Sequence, residues 1–311
     1  MGLDLLIASG FIAAISGLAF LAGRRLSLQA YQRRSYLFTE CLIFCLVFAF
    51  GFSNRLTWAS LFPTPAAICW SNWMPILLGF VAGLAFNAKT LRLGSRRLVS
   101  ISLAVLSCAF LLHPLIRPSL FPIRSDLNAA WQDGVCLQSH ESSCGAAAAA
   151  TLLYQTNCLV ALPQNWANHV GTEIDSLNAE KIMADACLTS EQGTTPMGLI
   201  RGLRIATRGL NRTVSVADPN PTHWVANKQV PNIAVVQFQG SGRDPSRFAP
   251  VRRLLGSDGE GHAVVVLGRN ADGMWLVADP AVGHRLWSDA EFRACFTGEA
   301  IYLAHRVKET S

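Results

Sequence analysis

The chain has 311 residues, 51% of them hydrophobic and only 15% charged, where soluble domains usually carry about a quarter. Its net charge of +6 is unevenly placed: ten Lys and Arg face two acids before residue 122, and sixteen face eighteen after it. A nucleic-acid surface is thereby excluded, because the basic excess lies wholly in the apolar part, where it reads as a topology signal.

Four apolar runs open the chain: Leu3–Ala22, Tyr36–Phe52, Ala66–Phe86 and Leu98–Ile116. A run of about twenty residues rises roughly 30 Å as a helix, the hydrocarbon thickness of a bilayer. No Lys or Arg precedes the first run, so it does not have the form of a cleaved signal peptide. Arg24, Arg25, Arg33 and Arg34 follow the first run, and Lys89, Arg92, Arg96 and Arg97 follow the third; the connection between runs two and three holds only Arg55. Basic loops stay cytoplasmic. The expected arrangement is therefore a four-span region, 1–121, in a bacterial inner membrane, with the C-terminal domain on the non-cytoplasmic side. "HPLIRPSLFPIR", His113–Arg124, has three prolines and reads as the membrane exit and a stiff linker.

Residues 122–311 have ordinary globular composition and suffice for one core. Cys144–Tyr154 is nearly all Ala and Leu, a helix buried under close neighbours, with Ser142 and Ser143 placed to cap it. Glu173–Ala186 and Pro196–Arg208 read as two further helices. The period then changes to that of strands at Ile233–Gly240, His262–Gly268, Met274–Asp279 and Ala300–His305, with an Asp-Gly turn in "RNADGM". Helices followed by strands make an α+β domain, helices packed on an antiparallel sheet.

The chemistry starts at Cys144. A thiol at a helix N-terminus meets unpaired N–H groups and the positive end of the dipole, and both favour thiolate, the nucleophilic form. The backbone N–H of Cys144 and the side-chain amide of Gln138, six residues earlier, suit a developing oxyanion. His262 opens a strand after the glycine-rich "GSDGEGH", and Asp279 ends the next strand. Neighbouring antiparallel strands bring such a pair together, base and orienting acid. Cys136, His140 and Cys144 also have metal-ligand spacing, but a zinc site needs a further ligand. "RDPSRFAPVRR", Arg243–Arg253, reads as a solvated loop and helix face. The other tail cysteines, Cys136, Cys158, Cys187 and Cys295, form either up to two disulfides or a set of buried thiols.

Gln138, Cys144-Gly145, the His262 strand, and Asp279-Pro280 with Gly283 together resemble the bacteriocin-processing cysteine peptidases. These are the double-glycine leader peptidases, number thirty-nine of the cysteine peptidases, with a papain-like fold. The resemblance covers Val135–Leu303. It implies Cys144 as nucleophile, His262 as general base, Asp279 as orienting acid and Gln138 as oxyanion donor, with no cofactor. Family members often precede six membrane spans and an ATPase. Here four spans come first, and no G-x-x-x-x-G-K-[ST] loop for ATP occurs. The expected partners are a peptide or protein substrate, the lipid bilayer and a separate exporter. The rival readings are a non-catalytic peptide-binding module and a papain-like amidase or acyl transferase acting on envelope material.

Overall fold

The computed structural model describes residues 2–29, 34–53, 55–87, 93–123, 130–159, 178–238 and 261–306. His169, the start of the helix expected from Glu173, the run Arg243–Arg253 and most of the glycine-rich loop before His262 lie outside these. The chain divides into two compact units, one of 1–58 and 66–117, the other of 59–65 and 118–311.

The first unit is helical: α1 (Leu3–Gln29), α2 (Arg34–Gly51), α4 (Ala67–Trp70), α5 (Met74–Phe86) and most of α6 (Leu93–Leu120), with α3 (Thr57–Leu61) at its edge. Three stretches, Leu3–Leu28, Ala67–Phe86 and Gly94–Leu120, are long and apolar enough to cross a membrane; Tyr36–Gly51 is apolar but shorter. Helices α1 and α5 meet through small residues, the usual solution where apolar burial supplies no drive. A Cβ on Gly79 would stand 2.6 Å from Ser16 Oγ, and one on Gly83 or Gly23 would collide with the main chain of Phe20 or Phe80. Ser16 and Ser107 both donate to the Pro75 carbonyl, at 2.6 and 2.8 Å.

The linker expected over His113–Arg124 is corrected here. Helix α6 runs through Pro114 and Pro118 to Leu120. Each proline removes one donor, a loss that apolar helices absorb when neighbouring groups take up the freed carbonyl.

The second unit starts with a hairpin of β1 (Ala130–Gln132) and β2 (Val135–Leu137). Its turn residues, Asp133 and Gly134, both have positive φ, 50° and 79°, as a two-residue hairpin turn requires. Helices α7 (Cys144–Gln155), α8 (Ala179–Ala186) and α9 (Pro196–Ala206) follow. Thr195 caps α9 by accepting from the Gly198 N–H, with Pro196 in the first turn. Gly198 and Gly202, one turn apart on α9, leave room for Cys187 at the end of α8.

A six-stranded antiparallel sheet completes the unit: β3 (Arg212–Val216), β4 (Asn232–Gln237), β5 (Gly261–Arg269), β6 (Trp275–Asp279), β7 (Gly283–Trp287) and β8 (Phe296–His305), in the order β3-β8-β4-β5-β6-β7. The α+β architecture is the one read from the sequence. Val236, Val264, Val266, Trp275 and Val277 gather around Trp224 and Phe292, the latter on α10 (Asp289–Cys295). Ser288 and Glu291 close a reciprocal capping box at the start of α10. Ile233 on β4 and Ala263 and Val265 on β5, which alternate with the core-facing residues of their strands, are buried too, so the central strands are covered on both faces. Helix α7 is buried from Cys144 to Leu153, as its small residues predict.

Candidate active site

Cys144 is the first residue of α7. Gly145 behind it has no room for a side chain, since a Cβ would sit 2.7 Å from Thr194 Cβ and 2.8 Å from its Oγ1. The loop between α8 and α9 therefore lies directly on the N-terminus of α7. Ser142 Oγ ties the two together by donating to the Glu191 carbonyl at 2.5 Å.

The capping role expected of the two serines is not what the structure has. Ser143 occupies the N-cap position with no side-chain bond into the helix. Its hydroxyl turns back, donating to the His140 carbonyl at 2.7 Å and accepting from the His140 N–H at 3.1 Å. The closed turn of residues 140–143 takes the place of the cap, and the Ser143 hydroxyl makes no bond to the first-turn N–H groups beside the thiol.

Strand register brings His262 and Asp279 together. Val265 pairs with Ala278 across β5 and β6, so Asp279 comes opposite Val264, two residues from His262 and on the same face. His262 Nε2 lies 2.7 Å from Asp279 Oδ1. That oxygen also accepts from the Ala281 N–H at 2.9 Å, which fixes the carboxylate in the turn after Pro280. Both side chains are largely buried, with 14% and 9% of their surface exposed. The Cys144 thiol is close enough to the ring to help raise its pKa.

The electrostatics follow from these contacts. Burial pushes the His262 ring down, but its hydrogen bonds to Asp279 and Cys144, and the charges of those two groups, push it up further, to about 9. Burial pushes the Asp279 carboxyl up. The hydrogen bonds from His262 and the Ala281 N–H, with the charges of His262 and Arg285, more than reverse this and hold it below its usual range. The pair is thus suited to carry imidazolium and carboxylate at neutral pH.

Gln138 stands between β2 and this site. Its N–H donates to the Pro280 carbonyl at 2.8 Å. Its side-chain Nε2 donates to the His140 carbonyl at 3.2 Å and reaches the Glu141 carbonyl at 3.5 Å, the limit of a useful bond. Ser139, next in line, is held through both its N–H and its hydroxyl by Glu180 of α8.

Two neighbours of the site were missed in the sequence. Phe238, just past β4, is half-exposed and sets its ring 5.9 Å from that of His262, with Trp287 6.0 Å beyond it. Glu180 looks in the sequence like any acid in a first helical turn. The hairpin of β1 and β2 was also missed, although Asp133-Gly134 is its turn signature.

Cys136 lies fully buried on β2, its N–H donating to Thr151 Oγ1, and His140 Nδ1 accepts from the Ser142 N–H. Among the described residues no three His, Cys, Asp or Glu side chains gather as metal ligands. Cys136, Cys158, Cys187 and Cys295 are all free thiols, so of the two alternatives the structure has the unpaired set. His223 makes a 2.9 Å pair with Asp218, and His284 lies 3.1 Å from the Asp133 carbonyl, both outside the site.

The model of the Peptidase C39 family matches residues 248–308, a stretch that holds His262 and Asp279 and begins after Gln138 and Cys144. No curated protein matches the chain. Among solved structures, it is similar to the peptidase domain of Streptococcus ComA, a bi-functional ABC transporter involved in quorum sensing, at 23% identity and a TM-score of 0.35, covering 54% of this chain and 96% of that one. It is similar to a double glycine motif protease from an AMS/PCAT transporter, solved with its leader peptide, at 17% identity and a TM-score of 0.36, covering 58% and 96%. The Streptococcus mutans ComA peptidase domain is similar at 19% identity and a TM-score of 0.32, covering 58% and 99%. The match to the family model thus falls on the strands that carry His262 and Asp279, and the likeness there is to a cysteine-type peptidase.

Proposed function

We propose that this protein is a membrane-anchored processing peptidase that cuts leader peptides or proteins with Cys144, His262, Asp279 and Gln138. The observation that carries the reading is the His262 imidazole held by the Asp279 carboxylate at 2.7 Å, with the Cys144 thiol near enough to act on its charge.

In this mechanism the thiolate of Cys144 attacks the scissile carbonyl, an S–C bond forms, and the carbonyl oxygen becomes an oxyanion. The Cys144 N–H and one N–H of Gln138 Nε2 receive it. The weak 3.5 Å contact to Glu141 is the one Gln138 exchanges for the oxyanion. The C–N bond then breaks as the His262 imidazolium gives its proton to the leaving amine. His262, neutral again, takes a proton from water, which attacks the thioester and releases the acid and the thiol. Asp279 keeps the ring oriented and stabilises imidazolium in both halves.

The non-cytoplasmic side is supported by charge and by one contact. Segment 59–65, part of the connection with few basic residues, belongs to the peptidase unit. Arg204 donates to its Ala59, Phe62 and Thr64 carbonyls at 2.5, 2.7 and 2.8 Å. A domain bound to that connection shares its side of the bilayer, and a separate exporter would then deliver the substrate.

The test uses the full chain in detergent with a double-glycine leader peptide. Mass spectrometry is expected to find cleavage by the wild type and none by Cys144→Ala of equal thermal stability. Cleavage that persists in Cys144→Ala would remove the reading.

A further inference from the structure

We infer that Glu180 is a positioning residue for the oxyanion donor, acting through Ser139 on Gln138. The inference rests on the oxyanion reading of Gln138 given above.

Glu180 is fully buried on α8. Its Oε1 accepts from the Ser139 N–H at 2.9 Å and its Oε2 from the Ser139 hydroxyl at 2.7 Å. Among the described residues no Lys or Arg pairs with it. Taking a carboxyl group out of water with no cation beside it is unfavourable, and two hydrogen bonds only partly offset this. An apolar residue would make a cheaper core, so the position asks for an explanation in geometry.

Successive N–H groups supply that explanation. The N–H of Gln138 points to the Pro280 carbonyl, in the turn that carries Asp279, and the next N–H, of Ser139, points to Glu180 on the helical layer. The Gln138 backbone is thus anchored from both sides. Residues 140–143 are closed by bonds among His140, Ser142 and Ser143. They meet Gln138 through its side-chain amide, at the His140 and Glu141 carbonyls, and give its backbone no second anchor. Without Glu180, Ser139 is free to rotate, and Gln138 Nε2 loses its aim at the carbonyl oxygen over Cys144.

The test needs a readout of the oxyanion and one that ignores it. Acetyl-Gly-glycinal adds reversibly to a cysteine thiol. The S–C bond forms as the C=O π bond opens to C–O⁻, and the proton that left the thiol stays on His262. Its affinity therefore reports the oxyanion donors. Iodoacetamide alkylates the same sulfur without forming an oxyanion.

In the detergent-solubilised full chain, Glu180→Ala is expected to weaken glycinal binding by about tenfold, a fraction of the ~10²–10³-fold effect of losing an oxyanion donor outright. Alkylation of Cys144 should stay within about twofold of wild type. Glu180→Gln should restore binding, since its oxygen keeps the Ser139 N–H and its amide donates to the hydroxyl oxygen. The decisive arm is coupling: in a Gln138→Ala background, Glu180→Ala should cost nothing further. Should Glu180→Ala fail to fold, Ser139→Ala removes one of the two bonds with the carboxylate in place, and its smaller loss should likewise vanish in the Gln138→Ala background. Equal losses with and without Gln138, or slowed alkylation, would overturn the inference while leaving the peptidase reading intact. If even the wild type fails to bind the aldehyde, the peptidase reading fails and this one with it.

Discussion

The main chain of Gln138 is bonded to that of Pro280, N–H to carbonyl at 2.8 Å. One hydrogen bond thereby joins the segment leading to Cys144 with the turn that carries Asp279. In the proposed mechanism, the oxyanion donor and the orienting acid share this tie, so their roles can be separated only by probes that distinguish charge on sulfur from charge on the substrate oxygen.

The first prediction concerns pH. His262 holds its proton up to about pH 9, and the leaving amine needs that proton. Activity, kcat/KM, is expected to fall on the alkaline side with a midpoint near 9. Asp279 is one of the groups raising the ring, so Asp279→Ala should move that limb to lower pH as well as reduce the rate. A pH–rate profile on a fluorogenic peptide checks both. An alkaline limb that stays put in Asp279→Ala would mean Asp279 does not hold the protonated ring.

Thiol reactivity gives the second. Burial pushes the Cys187 thiol up to about 12, against the weaker opposite pull of Arg201. Burial and the Glu180 charge push Cys136 up as well. Cys144 instead sits beside an imidazole that is charged below pH 9. At pH 6–7, iodoacetamide should modify Cys144 at least about tenfold faster than Cys136 or Cys187. Peptide mapping by mass spectrometry reads the ratio, and equal labelling would count against the thiolate–imidazolium pair.

Gly145→Ala is the third. The added methyl has no room against Thr194, and neither atom involved is the end of a flexible side chain. Overpacking of this kind costs about 1–3 kcal/mol. A lowered Tm is expected, with partial recovery in Gly145→Ala/Thr194→Gly. Because the clash lies one residue from the nucleophile, activity should fall further than stability alone explains. An unchanged Tm would show that the loop between α8 and α9 yields easily.

Membrane side is the fourth. A reporter active only in the cytosol, fused after Ser311, should be silent, while one active only outside should work. Arg204→Ala should leave that topology unchanged, because it is set by the Arg and Lys at the first and third connections. An active cytosolic fusion would place the peptidase domain in the cytosol.

Local pattern was enough for several features. The Ala and Leu run specified a buried helix starting at Cys144, the period-two runs specified the strands of His262 and Asp279, and the apolar runs specified the N-terminal helices. Each depends on a repeat of 3.6 or 2.0 residues, or on bulk apolarity, that a short window contains. Asp133-Gly134 was equally readable as a hairpin turn.

Other features exist only through distant partners. The offset of β5 against β6 sets Asp279 two residues from facing His262, and nothing within either strand states that offset. Ser143 lies where a cap belongs, yet its hydroxyl bonds to His140, because closing the turn satisfies two groups where the cap would satisfy one. Pro114 and Pro118 read as a stop, yet the helix runs through both to Leu120. Glu180 is indistinguishable in the sequence from a solvated first-turn acid, and only the packing of α8 beneath Ser139 buries it. Sequence alone determined which residue types stand at element ends and in which order. The tertiary structure decided which of them meet, because hydrogen-bond partners and burial depend on residues tens of positions apart, and no local period encodes that distance.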